Sequence, residues 1–228
     1  MIPLDRLTNY FQDAPVFVIG GGPSLKPYIQ NETITNFLKT QVTLGCNRMF
    51  EWFSPTMAVI MDAWFFANYK AQIAQLPCPF FIPDHVKDIL PNMYKVRKFR
   101  STTDHIPTSF AQGVSVSNNC GVYATRIAYL LTRGPIFLLG MDLTHHPKDT
   151  HWHSTYSDPK RNSTSHRYQQ FVRVFLETVQ KMRAAERIIV SCSPASPLNA
   201  HIPYKSLDDV HHFFTVTVPS SDSSGVVL

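Results

Sequence analysis

The feature that most constrains the fold is a short apolar stretch followed directly by glycines. Residues 15–20 read Pro-Val-Phe-Val-Ile-Gly, and the next residues are Gly21, Gly22, Pro23 and Ser24. A continuous apolar run of this length, rich in β-branched residues, is typical of a strand buried on both faces of a parallel sheet. Glycines after such a strand allow a tight turn, and a serine can cap the following helix. The segment therefore predicts a strand, a turn and a helix of an α/β protein.

Apolar runs of the same kind recur along the chain, and helical patterns lie between them. The further predicted strands are residues 42–45, 57–61, 80–82, 136–140 and 188–191. The predicted helices are residues 63–75, 121–132 and 165–184. In the last of these the apolar residues keep a period of 3.6. Strands that alternate with helices predict a Rossmann-like, doubly wound and mainly parallel sheet.

The hydrophobic content predicts one folded domain, and the local polarity of two segments predicts a loop and a tail. The 228 residues are 44% hydrophobic, which is enough for a sizeable core, and we expect a single domain over residues 1–216. Residues 145–164 are polar, rich in histidine and without periodicity, which is typical of a lid loop. Residues 217–228 are predicted to be disordered. Residues 77–110 fit neither period, and we expect either an irregular insertion or a partial strand pair there.

Charge, cysteine spacing and hydropathy exclude several classes of protein. The formal net charge of +5 is mild and spread along the chain, so nucleic acid is not an expected partner. The four cysteines include no C-x-x-C pair, which favours reduced thiols over a zinc ribbon or a disulfide scaffold. No apolar run reaches the length of a membrane span, and the N-terminus lacks the layout of a secretion signal. We therefore expect a cytoplasmic protein.

Polar residues follow the predicted strands at their C-terminal ends, where a doubly wound sheet binds its ligands. The amides of the turn at residues 20–24 are expected to bind phosphate, unless this is a plain turn between strand and helix. Asn47 offers a donor and an acceptor to a base or a ribose. Asp62 is placed to bind a ribose hydroxyl, to hold a metal or to cap the next helix. The predicted nucleotide-binding residues are Gly20, Gly21, Gly22, Pro23, Ser24, Asn47, Asp62, Asn119, Cys120, Gly121 and Asp142.

Two parts of this set, residues 118–121 and Asp142, lie beside other predicted elements. Residues 118–121 (Asn-Asn-Cys-Gly) supply amides and carboxamides at a helix start, which suits phosphate or carboxylate. Capping of the helix by Asn119 is compatible with the same geometry. Asp142 follows the predicted strand at residues 136–140 and leads into the histidine-rich loop.

Histidines supply the predicted catalytic groups. Four of the ten lie within nine residues, and their spacing fits no closed structural metal site, so we favour imidazoles that contact phosphate or carry protons. His166 begins the longest helix, where the helix dipole favours the neutral imidazole that a general base needs. The alternative for His166 is an ordinary surface position. The predicted catalytic residues are His166, His145 and His151.

Five segments resemble, in their order and spacing, a known superfamily. They are VIGGGPSL (residues 18–25), GCNRMF (45–50), CGVYATRIAYLL (120–131), IFLLGMDL (136–143) and CSPAS (192–196). The superfamily contains bacterial lipooligosaccharide sialyltransferases in one branch. The other branch contains flagellin-modifying motility accessory factors and archaeal 6-hydroxymethyl-dihydropterin diphosphokinases.

The resemblance implies roles for residues in these segments. By likeness to the sialyltransferases, the turn at residues 20–24 and Asn47 hold a cytidine nucleotide, and His166 is the general base. The chain departs from those enzymes at Asp62, where they have asparagine. It also has Thr144, His145, Thr150 and His151 in the region where they have tyrosines that stabilise the departing phosphate. The G-x-D-L form is closer to the second branch, although the H-A-H-G-D-N-like segment of the pterin kinases is absent.

The expected activity is transfer of a group, and three interpretations remain. In the first, a glycosyltransferase uses a nucleotide-activated sugar without a cofactor, His166 deprotonates an acceptor hydroxyl, and His145 or His151 neutralises the leaving phosphate. In the second, a diphosphokinase uses ATP and Mg²⁺ on a hydroxymethyl-pterin-like substrate, with Asp62 and Asp142 as metal ligands. In the third, the chain is a catalytically silent nucleotide-binding module.

Overall fold

The computed structural model describes residues 1–88, 90–99, 106–117, 119–144, 151–153 and 165–217. Within these ranges, seven parallel strands form one sheet and two short strands form a second pair. The large sheet contains β1 (Val16–Ile19), β2 (Val42–Cys46), β3 (Met57–Val59), β4 (Phe80–Pro83), β5 (Met93–Val96), β8 (Ile136–Leu139) and β9 (Ile189–Ser191). The second pair consists of β6 (Lys98–Phe99) and β7 (Val114–Ser115).

The strand order of the large sheet is β5-β4-β3-β2-β1-β8-β9. Val16 at the start of β1 is paired with Val42 on one side and with Ile136 on the other. The chain thus builds the sheet outward from β1 to β5 and then returns to place β8 on the other side of β1. In sheets of this kind, ligands bind beyond the carboxyl ends of the strands where the order reverses. That point lies here between β1 and β8.

Helices cover both faces of the sheet. They are α1 (Lys26–Ile29), α2 (Glu32–Lys39), α3 (Ala63–Ala74), α4 (Cys120–Leu131), α5 (Ser165–Ala184) and α6 (Leu207–Thr217). On β1, Val16 and Val18 belong to the core that contains α4 and α5, whereas Phe17 and Ile19 belong to the core that contains α2 and α6. All four side chains are fully buried. Burial on both faces explains why β1 reads as a continuous apolar run.

The predicted Rossmann-like α/β fold is confirmed. Each of the six predicted strands is present, with bounds that differ by at most two residues, and the three predicted helices become α3, α4 and α5. Residues 77–110, which were expected to be irregular or a partial strand pair, contain β4, β5 and β6. The strand β5 extends the large sheet, because Phe80 of β4 is paired in parallel with Met93.

The sequence patterns did not predict α2 and α6. In α2 only Ile34, Phe37 and Leu38 are buried, and the Asn31 side chain caps the helix by accepting a hydrogen bond from the Ile34 N–H at 3.2 Å. With eight residues and three buried apolar side chains, α2 is too short for its helical period to be recognised in the sequence.

Two predicted segments fall largely outside the described residues. Of the predicted lid at residues 145–164 only 151–153 are described, and of the predicted tail at 217–228 only Thr217, the last residue of α6, is described. The single domain over residues 1–216 stays a prediction. Among the described helices, none combines the length and the apolar character needed to cross a bilayer.

Candidate functional site

A cavity of about 340 Å³ lies at the carboxyl edge of the sheet, beside the reversal of strand order. Its wall includes residues that follow β1, β2, β3 and β8 and residues at the starts of α3, α4 and α5. Ten of the predicted site residues line it: Gly20, Gly21, Gly22, Asn47, Asp62, Asn119, Cys120, Gly121, Asp142 and His151. The structure therefore brings together groups that are far apart in sequence.

The glycine turn after β1 is held against the segment that follows β8. The Gly22 N–H donates to the Gly140 carbonyl at 2.8 Å, and the Ser24 N–H donates to Asp142 Oδ2 at 2.9 Å. A β-carbon on Gly22 would lie 2.2 Å from Asp142 Oδ2 and 2.6 Å from the Gly140 oxygen. Gly22 is thus required because the two segments approach too closely for any side chain.

These contacts use most of the amides that were expected to bind phosphate. The N–H groups of Gly20, Gly22 and Ser24 all donate to groups of the chain, and Pro23 has no N–H. Within the described residues, the Gly21 N–H has no hydrogen-bond partner. Pro23 and Ser24 are not in the described wall of the cavity. Phosphate binding by this turn stays a prediction. In the described structure the Gly21 N–H is the one amide of the turn that could donate to a phosphate.

Several buried polar atoms around the cavity lack a partner among the described residues. They are Ser24 Oγ, Asn47 Oδ1, Asp142 Oδ1, Thr144 Oγ1 and Trp152 Nε1. Each such atom costs about 1–3 kcal/mol when it is left unpaired. Asp142 is the clearest case, because its side chain is 4% exposed and one of its two oxygens is unpaired. A cluster of unpaired donors and acceptors in a cavity wall is what a polar ligand would satisfy.

Two of the five residues other than glycine that have a positive φ in the described structure line the cavity. Asn47 and Leu143 both line the cavity and have positive φ angles of 49° and 52°. Asparagine tolerates this left-handed conformation, whereas leucine rarely adopts it. Strained backbone that the surrounding structure holds in place is a frequent feature of binding sites.

Asp62 and Asn119 act as helix caps and also line the cavity. The Asp62 side chain accepts from the Trp64 N–H at 2.9 Å at the start of α3, and the Asn119 side chain accepts from the Val122 N–H at 3.0 Å at the start of α4. The capping alternative is thus present in both cases. Because each side chain also has a second polar atom, capping leaves the predicted contact with a ligand open, and that contact stays a prediction.

Two cysteines of the cavity wall, Cys46 and Cys120, lie against each other. A hydrogen bond with Cys120 and burial together raise the pKa of the Cys46 thiol well above its usual value. The Cys120 thiol donates to the Val59 carbonyl at 3.4 Å. Cys46 therefore stays a protonated thiol at neutral pH and does not act as a nucleophile.

The described part of the histidine-rich loop lies on the glycine turn. The Trp152 N–H donates to the Gly21 carbonyl at 2.9 Å, and the rings of His151 and His153 stack with their centroids 4.7 Å apart. Burial lowers the pKa of His151 to about 4, and the neighbouring His153 and Arg48 add to this effect. His151 is therefore uncharged at neutral pH. His145 lies outside the described residues.

The first turn of α5 contributes residues that the sequence patterns did not assign to the site. His166 is exposed, and its Nε2 lies 3.0 Å from Gln170 Nε2. In the described structure it is not part of the cavity wall, whereas Arg167, Tyr168 and Phe171 are. Burial and the nearby Asp142 carboxylate raise the pKa of Tyr168, which keeps its hydroxyl protonated. A period of 3.6 predicted Tyr168 and Phe171 as buried positions, but it cannot distinguish a core from a cavity.

One part of the wall, around the start of α3, is apolar and aromatic and consists of Met61, Trp64 and Phe65. Met61 precedes the predicted ligand side chain Asp62, and Trp64 and Phe65 follow it. This closeness in sequence was the signal that could have identified them. Among the described residues, no group of three or more His, Cys, Asp or Glu side chains is arranged to hold a metal ion. Asp62 and Asp142 as magnesium ligands stay a prediction.

Comparison with known proteins identifies a fold rather than a family. No family model matches the sequence, and no curated protein matches it. The structure is similar to that of the sialyltransferase CstII from Campylobacter jejuni, solved in complex with the substrate analogue CMP-3FNeuAc. The TM-score is 0.54 and the identity 12%, and the match covers 86% of this chain and 88% of the other. The protein therefore has a glycosyltransferase-like fold, and within that class the fold is sialyltransferase-like.

Proposed function

We propose that this protein is a glycosyltransferase that moves a sugar from a nucleotide-activated donor to an acceptor hydroxyl. The observation that carries the proposal is the set of unpaired, buried polar atoms in a cavity at the reversal of strand order. The similar fold of CstII, whose structure holds a nucleotide-sugar analogue, supports the same interpretation. So does the resemblance of the five sequence segments to the sialyltransferases and their relatives.

The two sides of the cavity suit the two parts of such a donor. Its volume of about 340 Å³ is within the range of cavities that bind small molecules. Trp64, Phe65 and Phe171 provide an apolar wall for a planar base. Asn47 Oδ1 and Asp142 Oδ1 are unpaired acceptors, and a ribose or sugar hydroxyl would donate to them.

The reaction needs a base for the acceptor and a donor of hydrogen bonds for the leaving group. The acceptor oxygen forms a bond to the anomeric carbon, the bond from that carbon to the phosphate oxygen breaks, and the acceptor proton passes to the base. His166, next to the wall residue Arg167, is the proposed base. His151, whose pKa is lowered to about 4, is too weak a base at neutral pH, and it stabilises the leaving phosphate as a neutral hydrogen-bond donor.

A second function rests on the two carboxylates in the cavity wall. Asp62 and Asp142 are oxygen ligands of the kind that Mg²⁺ prefers, and a magnesium-bound ATP would make the protein a diphosphokinase for a hydroxymethyl-pterin-like substrate. A silent nucleotide-binding module would use the same cavity without turnover.

A panel of nucleotides in a thermal-shift assay, with EDTA or with Mg²⁺, separates the three functions. A glycosyltransferase is expected to be stabilised by a cytidine or uridine nucleotide in the presence of EDTA, because binding to the native state raises Tm. Stabilisation by ATP that requires Mg²⁺ would favour the diphosphokinase instead. Release of nucleotide from a matching nucleotide sugar, followed by chromatography, then distinguishes an enzyme from a silent module.

A further inference from the structure

Cys120 differs from the other cysteines of the chain in its exposure. Cys46, Cys78 and Cys192 are buried, with 5% or 6% of each side chain exposed. Cys120 is half-buried and lines the cavity. A thiol must be reached by a reagent before it can react, so access favours Cys120 over the other three.

The three buried thiols are also held in their protonated form. Burial raises the pKa of Cys192 to about 12, and burial raises the pKa of Cys78 as well. The pKa of Cys46 lies well above its usual value, first because of the hydrogen bond with Cys120 and then because of burial. Since the thiolate is the form that attacks disulfides, these three thiols are inert at neutral pH.

The register of the sheet fixes the position of the Cys120 sulfur. Cys120 is the first residue of α4, and its thiol donates to the Val59 carbonyl at 3.4 Å. Val59 on β3 is paired in turn with Cys46 on β2. Because Cys120 donates to Val59, the hydrogen bond between the two thiols runs from Cys46 to the Cys120 sulfur. When that sulfur carries charge, as an attacking thiolate does, the Cys46 thiol is in place to donate to it.

The cavity that Cys120 lines contains polar groups that a ligand would satisfy. Asp142 is 4% exposed, and its Oδ1 atom has no partner among the described residues. The Oδ1 atom of Asn47, the residue after Cys46, is buried and unpaired in the same part of the chain that the structure describes. A group attached to the Cys120 sulfur would lie in the same cavity as a ligand of these side chains.

We propose that Cys120 is a thiol modification site, and that a small disulfide that reacts there closes the cavity to its nucleotide. The Cys120 sulfur attacks one sulfur of the disulfide, the bond between the two sulfurs of the reagent breaks, and a mixed disulfide with Cys120 forms. The other half of the reagent leaves as a thiol that carries the proton lost by Cys120. A second thiol reverses this exchange. The reactivity of Cys120 is independent of the proposed function, whereas the closing of the cavity to a nucleotide rests on it.

Labelling of the full chain with bis(2-hydroxyethyl) disulfide at neutral pH tests the site, with intact mass and peptide mapping as the readout. We expect about one label per native chain, on Cys120, and labelling of all four cysteines in denaturant, because unfolding removes the burial. Cys120→Ala should take up no label in its native state. Cys192→Ala, which replaces a buried cysteine, is the matched control and should be labelled like the wild type. Tm values of both variants show whether each is folded under the labelling conditions.

The labelled protein then tests the closing of the cavity. CMP should slow the labelling of the wild type, because the nucleotide covers the thiol. Labelled wild type should bind CMP at least about tenfold more weakly, since an added group overpacks the cavity. Treatment with dithiothreitol should remove the label and restore the affinity, which excludes irreversible damage as the cause.

The outcomes separate this inference from the proposed function. Label on Cys46, Cys78 or Cys192 of the native wild type, or no label on Cys120, would overturn the modification site. Labelled Cys120 with undiminished binding of CMP would overturn the closing of the cavity. Label confined to Cys120 in a protein that binds no CMP even before labelling would support the reactive thiol and contradict a cytidine nucleotide as the donor.

Discussion

Gly22 has room for a hydrogen atom and for nothing larger. A β-carbon there would lie 2.2 Å from Asp142 Oδ2 and 2.6 Å from the Gly140 backbone oxygen, and a backbone oxygen cannot rotate away. Gly22→Ala is therefore expected to lower the free energy of unfolding by about 1–3 kcal/mol, as overpacking does elsewhere. Urea denaturation followed by circular dichroism measures this change.

Gly21→Ala is the matched control, because its β-carbon would meet the His151 ring at 2.9 Å rather than backbone. A ring at the end of a side chain can move, so Gly21→Ala should be the more stable of the two variants. A loss of nucleotide affinity in Gly21→Ala would then test the proposed role of His151 at the leaving phosphate. Equal losses of stability in both variants would contradict the close contact assigned to Gly22.

His151 makes the stability of the protein depend on pH. Its pKa is about 4 in the native state and about 6.5 in an unfolded chain, so between these values the unfolded state binds the extra proton. The contribution of His151 is therefore fully present above pH 6.5 and is lost as the pH falls toward 4, by at most about 3 kcal/mol.

In His151→Gln, denaturant midpoints measured from pH 7 to pH 4 should fall less steeply than in the wild type. The exposed His212→Gln should keep the wild-type slope. Parallel pH profiles for the wild type and His151→Gln would show that His151 is not buried in its neutral form.

At the scale of structural elements, the loop after β9 fixes the segment after β8. The fully buried Ser193 accepts a hydrogen bond on its Oγ from the Met141 N–H at 2.8 Å, one residue before Asp142. Ser193→Ala leaves that buried N–H unpaired and should cost about 1–3 kcal/mol of stability. It should also weaken nucleotide binding, because Asp142 is less firmly placed. Unchanged unfolding free energy by urea denaturation would contradict this role.

The first turn of α5 carries the proposed base, His166, beside the wall residue Arg167. His166→Ala should lower kcat by about a hundredfold to ten-thousandfold, the usual range for a positioned base, and leave nucleotide affinity nearly unchanged. Arg173→Gln, an exposed residue two turns further along α5, is the control with wild-type rates. Steady-state kinetics and a titration with CMP measure the two quantities. A variant of His166 that keeps its turnover but loses bound nucleotide would make His166 a phosphate ligand instead.

The elements that the sequence predicted well are those with a single strong pattern. The fully buried strand β1 reads as an unbroken apolar run, and the twenty-residue helix α5 repeats its apolar positions often enough to be recognised. The strand β5 was not recognised as part of the sheet, since Lys95 interrupts its apolar residues at an edge. Its position depends on pairing with β4, which no local pattern shows.

At the scale of the whole molecule, the parallel sheet explains why much of the site was predictable. The carboxyl ends of β1, β2, β3 and β8 meet at one edge, so Asn47, Asp62 and Asp142 could be placed together from the strand pattern alone. The hydrogen bond from the Ser24 N–H to Asp142 could not be predicted, because the two residues are 118 positions apart in the sequence. The contact between Arg48 and His153 could not be predicted for the same reason, because 105 positions separate the two residues.

The measurement that tests the nucleotide site most directly is the affinity of CMP for Asn47→Asp, determined by calorimetry beside the wild type. Aspartate keeps the shape of Asn47 and its tolerance of the φ of 49°, but it replaces the amide donor by a negative charge in the cavity wall. We predict that CMP binds the wild type, that Asn47→Asp binds it at least about tenfold more weakly, and that the exposed Asn36→Asp binds it normally. Equal affinity in all three proteins would contradict a contact between Asn47 and the nucleotide, and no binding of CMP to the wild type would contradict a cytidine nucleotide as the donor in this cavity.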